Sequence, residues 1–564
     1  MKLVKVFPGL RIFIFFICIS SSVIFSVSCH REPDHRTYYF DAELGEDDNN
    51  GMSENHPFKS LSKIHHLNLK PGDQVLLNVK SIFVEPLILK NIKGTKNHKI
   101  IFSSYGINSS NIDQRASIYV IDELNAILIE DCSFIEIKSI NLSANPGNNF
   151  QSSDKKEMRC GVLIKPKNNG LTESITLDDL HIKNVFYEKP GFQRPTKEVN
   201  SPNGTQNYGW GIRVINSNKD AILKNIVIKN SRVKNVSHTG IKFTGKNRSI
   251  QNIVVENCRV IETGGPGIQM SGVSQGHITG NYVNKSGSDN DSRKWGRGSG
   301  LWTWGSSDIL IEKNHFLNAN GPADSAGAHI DFNCENIILQ YNFSANNAGG
   351  FCEVLGNNYN CAYRYNISVN DGHRVKGKNG AFQEGKTLWL SGFSGKNKER
   401  KGPFNTYIYN NTIYVSKEIV SKFAFDKASS GALIMNNIFY IEGESDRVLG
   451  DQYNPDTAGE FAMKNIMFEN NLFLRSDNWP KDVLINDQAP IVGNPEFSNP
   501  GGLSINDYIP NNKNLIKNMG QIITNIPDDT LGLKMGLDVK KDILGNTING
   551  NPDMGAIKFG SGNN

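Results

Sequence analysis

The sequence is short of several things that would mark a functional class. Only 8 of 564 residues are cysteine, and none stands in a CxxC pair or at a Cys–His ligand spacing. Cys132, Cys160, Cys258, Cys334, Cys352 and Cys361 therefore read as buried thiols rather than metal ligands. An excess of charge of one sign is nearly absent, with 61 Lys and Arg against 56 Asp and Glu. That balance argues against a nucleic-acid or polyanion partner held by bulk charge. With 38% hydrophobic and 21% charged residues, the composition excludes a disordered or multispanning chain. What is abundant is asparagine, at 70 residues, beside 53 glycines. Both are poor in helix interiors, which excludes a helical bundle. At about 150 residues per domain, length alone predicts three or four domains.

The N-terminus reads as a targeting segment. Lys2, Lys5 and Arg11 precede an uncharged run from Ile12 to Ser28, too short for a membrane span. The run ends in Ser26-Val27-Ser28-Cys29, which resembles a bacterial lipobox with Cys29 as the acylated residue. Plain cleavage after Ser28 is the alternative. The resemblance implies an exported outer-membrane lipoprotein, facing the periplasm or cell surface, with the membrane touched only through the anchor. Removing residues 1–28 lowers the net charge from +5 to +2, because three positive charges leave with them.

From about residue 130 to 475 one phrase recurs: alternating apolar residues, an asparagine, then another short apolar run. The asparagines are Asn230, Asn257, Asn281, Asn314, Asn342, Asn366, Asn411, Asn437 and Asn471. Alternation marks strands, and a period of 20–50 residues marks a solenoid. Stacked coils would place successive amides one strand spacing apart, so each can donate to the next. Such an asparagine ladder resembles the all-β, right-handed parallel β-helix of pectate lyases and related carbohydrate-active enzymes. On that resemblance the chain divides into a signal peptide (1–28), a tether (29–36), an N-terminal cap with first coils (37–125), a β-helix core with a groove (126–478), and C-terminal coils with a closing segment (479–564). The protein is expected to be a monomer.

Each phrase is followed by a strand after a Gly-containing turn, beginning GIRV, GIKF, GIQM, GLWT, HIDF, FCEV and TLWL. Aligning these predicts one outward column of Arg213, Lys242, Gln269, Trp302, Asp331, Glu353 and Trp389. The next outward position holds Trp304 and Asn333, and His329 shares the strand of Asp331. Aromatic faces beside polar groups are the chemistry of a sugar-binding groove. The candidate catalytic residues are Asp331 and Glu353, expected on adjacent rungs of one column about 4.8 Å apart. Carboxyls so close cannot both ionise freely, which leaves one as acid and one as nucleophile or base. Adjacent rungs point to a retaining reaction. The arrangement resembles the β-helical β-xylosidase family of glycoside hydrolases, which implies Asp331 as nucleophile and Glu353 as acid/base.

Other residues carry two readings. Trp302 and Trp304 stack on substrate or pack under the loop 285–299. Arg213 and Lys242 are salt-bridged surface residues or recognise a uronate or sulfate. The loops 192–208 and 373–387 are expected to wall the groove, with Asp324, Asp371, His373, Arg374 and Glu384 as reserve catalytic candidates. The expected partner is a carbohydrate polymer or oligosaccharide. No cofactor is called for, and two acids in the column are few for calcium. The alternatives are a polysaccharide lyase with Lys242 or Arg213 as base, and a non-catalytic glycan-binding solenoid.

Overall fold

The computed structural model describes residues 35–106, 114–148, 157–189, 191–201, 208–288, 294–450 and 463–560. The export segment and Cys29 lie outside them, as do parts of the loops 192–208 and 285–299. The chain winds through three sheets in turn. One coil runs Ala221–Lys229, Arg232–Val236 and Ile241–Gly245, and the next begins at Ile250–Glu256 beside the first strand. Leu223 pairs with Ile250, Val233 with Val260 and Ile241 with Ile268, all in parallel register. Repetition builds a first sheet of 14 strands, a second of 14 and a third of 12. The result is a parallel β-helix, and His35–Asn564 form one unit. The three or four domains predicted from length are thus replaced by a single stack. Alternate residues of each strand point inward. Stacks such as Ile212, Ile241, Ile268 and Leu301, all fully buried, fill the interior.

The asparagine ladder runs without a break from Asn281 to Asn471. Each Nδ2 donates to the Oδ1 of the next, through Asn314, Asn342, Asn366, Asn411 and Asn437, at 2.9–3.0 Å. Asp487 accepts the last bond at 2.8 Å. Asn230 and Asn257 are not in it. Their φ angles are 51° and 52°, in the left-handed region that asparagine tolerates at strand ends. Their coils fill the ladder position one residue later, with Ser231 and Cys258; the Cys258 amide donates to Asn281 Oδ1.

A second stack, of glycine, sets the bend into the third sheet. A Cβ on Gly211, Gly240, Gly267 or Gly300 would come within 2.3–2.8 Å of the carbonyl oxygen of the equivalent glycine in the following coil. Only glycine lets these backbones pass so closely.

The tail returns along the outside of the first sheet. Between Met519 and Gly555 it bonds six successive coils, through Asn470, Asn436, Asn410, Asn360, Tyr341 and Asp308. Ile526, Leu533 and Val539 of this strap bury Tyr407, Tyr409 and Leu433 beneath them. Trp479 closes the interior against Phe423, Phe439 and Phe468.

Candidate active site

The outward face of the third sheet forms the floor of a cavity of about 830 Å³. Its register is Arg213, Lys242, Gln269, Trp302 and His329. Ile330 pairs with Val354, so His329 lies opposite Glu353, and Glu353 lies opposite Trp389. Asp331 belongs to the neighbouring column, after Thr244, Ser271 and Trp304. The expected side-by-side pair is therefore corrected to a diagonal one, one rung and two residues apart. Strand geometry separates their backbones by about 8 Å rather than 4.8 Å. This removes the argument from rung spacing for a retaining reaction. The slip has a local cause: the strand aligns as Gly327-Ala328-His329-Ile330. Ala328, fully buried, is too small to signal an inward position, and Ile330 took its place in the alignment.

Both carboxyls face the cavity, and a third joins them. Asp331 is pushed up to about 8 by burial, although the Phe332 amide donates to its Oδ1 at 2.8 Å. Glu353 is raised well above the usual carboxylate range by burial first and by Asp324 next. Asp324, from the GPADSAG loop, is 6% exposed and ion-paired to Arg297 at 2.7 Å. Its backbone is left-handed, with φ 42°, and pinned from three sides. Its amide donates to Gln383 Oε1 at 2.7 Å, its carbonyl accepts from Arg374 at 3.0 Å, and the Gly349 backbone presses against it. A strained residue held this firmly marks a position whose placement matters. His329 falls to about 4 through burial, so it is a neutral imidazole at pH 7; its Nδ1 lies 3.2 Å from Ser299 Oγ.

Of the predicted substrate-binding residues, Arg213, Lys242, Gln269, Trp302, Trp304 and His329 line the cavity. Trp302 meets Trp295 edge-on at 6.4 Å and His329 at 5.5 Å, while its indole N–H has no protein partner. Gln269 Oε1 is likewise buried and unpartnered. Trp304 is 40% exposed and meets Phe332 edge-on. Asn333 and Trp389 do not line it. Asn333 is a left-handed turn residue accepting from Asn357 at 2.6 Å, and Trp389 packs against Leu355, Ala424 and Val448. Arg213 and Lys242 form no salt bridge with a described carboxylate, contrary to the first of their two readings.

The loops serve differently from the expectation. Within 373–387, Arg374 and Gln383 hold the Asp324 turn from behind. Asp371 ends a side stack under Asn347 and Ser368, and Glu384 pairs with Lys422 at 2.8 Å. His373 lies over a separate hollow with Arg374 and Lys378. Val199 and Ser201 brace the cavity wall by accepting from Gly296 and Trp295 at 2.7 Å. Trp295, Arg297 and Phe393 were not anticipated in the wall because they fall outside the strand repeat, and Phe332, the last residue of HIDF, because the misaligned frame gave it the inward place of Val214. Among the described residues, no group of His, Cys, Asp or Glu is arranged to hold a metal ion.

The buried acid has a consequence for stability. Unfolded, Asp331 titrates near 4; folded, at about 8. Between those values only the folded state holds the proton, so its stabilising contribution drains away as pH rises from about 4 to about 8. Asp331→Asn should therefore raise the melting temperature, with a larger gain at pH 8 than at pH 5. A gain independent of pH, measured by thermal melts across that range, would refute the buried-carboxyl account.

The right handed beta helix region family matches residues 210–413. The chain is 23% identical to the lacto-N-biosidase of Bifidobacterium longum subsp. longum, covering 93% of this chain and 36% of that protein. It thus spans about a third of that relative's length. Among solved structures, the GH136 lacto-N-biosidase from Eubacterium ramulus matches with a TM-score of 0.50 and 20% identity, over 74% of this chain and 68% of that one. XylC, in complex with xylose, matches with a TM-score of 0.50 and 12% identity, over 93% and 99%. These structural likenesses concern the fold.

Proposed function

We propose that this protein is a glycoside hydrolase acting on an oligosaccharide laid along the third sheet. The observation that carries the reading is the pair Asp331 and Glu353, two carboxyls kept protonatable by burial in a tryptophan-lined cavity. Burial raises both carboxyls, Asp331 to about 8 and Glu353 well above the usual carboxylate range, so the pair readily holds a proton. The active state carries one proton on the pair, which this reading assigns to Glu353 with Asp331 anionic. In that state Glu353 donates its proton to the glycosidic oxygen, the bond from that oxygen to the anomeric carbon breaks and the alcohol leaves while Asp331 supports the anomeric carbon from the other side. Water then gives its hydroxyl to that carbon and its proton back to Glu353. Trp302 and Trp304 offer faces to sugar rings, and Gln269 Oε1 and the Trp302 N–H offer an acceptor and a donor for hydroxyls.

A second reading moves the proton donor to Asp324, favoured by its pinned left-handed turn and its place in the same cavity. Similarity to a lacto-N-biosidase supports hydrolysis over lyase cleavage. The apolar run before Cys29 supports export, with acylation of Cys29 at the outer membrane.

The test is a panel of aryl glycosides, including a lacto-N-bioside, with neutral and acidic oligosaccharides. New reducing ends without ultraviolet-absorbing product are expected. An unsaturated, absorbing product would identify a lyase, and binding without turnover a glycan-binding protein.

A further inference from the structure

One end of the cavity carries positive charge that no described side chain balances. Arg213 and Lys242 sit on adjacent rungs. Arg213 is 3% exposed; it donates to Thr244 Oγ1 at 2.7 Å, and its Nε has no partner. Both cations lie 5.0 Å from the centre of the Trp210 ring. Burial, and then Arg213, hold Lys242 well below the usual lysine range, and among the described residues no acid opposes this at either group except the Cys160 thiol near Arg213. Two like charges packed together, Arg213 buried and Lys242 half-buried, destabilise the protein unless something brings negative charge to them. The next rung adds the unpartnered acceptor Gln269 Oε1.

We propose that Arg213 and Lys242 form an anion subsite, which takes a carboxylate or sulfate ester carried by one sugar of the glycan. The planar guanidinium suits two oxygens of such a group, and the ammonium adds a compact charge. Lys242 stands three rungs from His329, or about 14 Å along the groove. The acidic sugar therefore lies beyond the rings at the scissile bond. This inference rests on the cavity being a glycan site, not on the identity of the proton donor.

Calorimetry on the Asp331→Asn variant tests it with two matched pairs. One is a glucuronate-bearing oligosaccharide and its carboxyl-reduced form; the other is a sulfated oligosaccharide and its desulfated form. At low salt the acidic member of one pair should bind about tenfold tighter, or 1.4 kcal/mol, and salt should shrink the advantage. The pair that responds identifies the substituent. Lys242→Met and Arg213→Met should erase the preference, and Lys242→Arg, which keeps the charge, should retain it. Equal affinities within both pairs would overturn the subsite, as would a preference that survives both methionine variants. A preference without hydrolysis of any glycan by the wild-type protein would uphold the subsite and reject the hydrolase. Hydrolysis of neutral glycans without any preference would do the reverse.

Discussion

Asp331→Asn should lower turnover of the best oligosaccharide substrate by about 10²- to 10⁴-fold, with a comparable loss for Glu353→Gln. The amides match the carboxyls in shape, so the loss reports chemistry rather than collapse. The leaving group separates the roles. An aryl glycoside with an acidic phenol needs little protonation, so the proton-donor variant should keep most of its activity there while losing it on oligosaccharides. The Asp331 variant should be inactive on both. Kinetics of Asp331→Asn, Glu353→Gln and Asp324→Asn on the two substrate types give the answer. Leaving-group rescue in Asp324→Asn, and not in Glu353→Gln, would transfer the donor role to Asp324. Full activity in Asp331→Asn and Glu353→Gln together would end the assignment.

The largest effect on stability is expected at Asn366, in the middle of the ladder. Its Oδ1 accepts from both the backbone and side-chain nitrogens of Asn342, and its Nδ2 donates to Leu339 O and Asn411 Oδ1, all within 2.9–3.0 Å. Alanine would strip these bonds from groups that water cannot reach. Each stranded group costs about 1–3 kcal/mol, so the sum approaches the whole stability of an ordinary domain, about 5–15 kcal/mol. Asn366→Ala should drastically reduce soluble protein or lower the denaturation midpoint by a large margin. Asn257→Ala is the control. It removes an exposed turn residue from the left-handed region, for about 1–2 kcal/mol. Equal, small shifts in urea midpoints for the two would show that the ladder does not carry the stack.

The fold was legible because a solenoid repeats its constraints, and repetition makes a weak signal strong. The ladder asparagines and the inward aliphatic stacks both recur at each turn. Error entered where two constraints use one residue type. Asn257 serves a left-handed turn one place before the ladder position, and its coil hides the true position behind Cys258. The groove was legible as a face but not in register, because Ala328 is a weak marker of the interior. Six of the eight residues expected to bind substrate do line the cavity. Those missed, Trp295 and Arg297, sit in the loop 285–299, and Asp324, expected only as a reserve candidate, lies in a turn whose shape depends on Arg374 and Gln383, 50 and 59 residues later. No local periodicity encodes such a contact.

The strap alters how the stack comes apart and how it is first put together. In a solenoid whose coils touch only their neighbours, loss can begin at an end and proceed one turn at a time. Here the coils from Asp308 to Asn470 cannot peel singly, because residues 519–555 lace these six to one another from outside. Unzipping must first shed the lacing, which joins several small barriers into one tall one and favours slow unfolding over mere equilibrium stability. The lacing is also synthesised after the coils it joins. Coils from Asp308 onward must stack without it during translation, and they gain their kinetic protection only when residues 519–555 fold back along them.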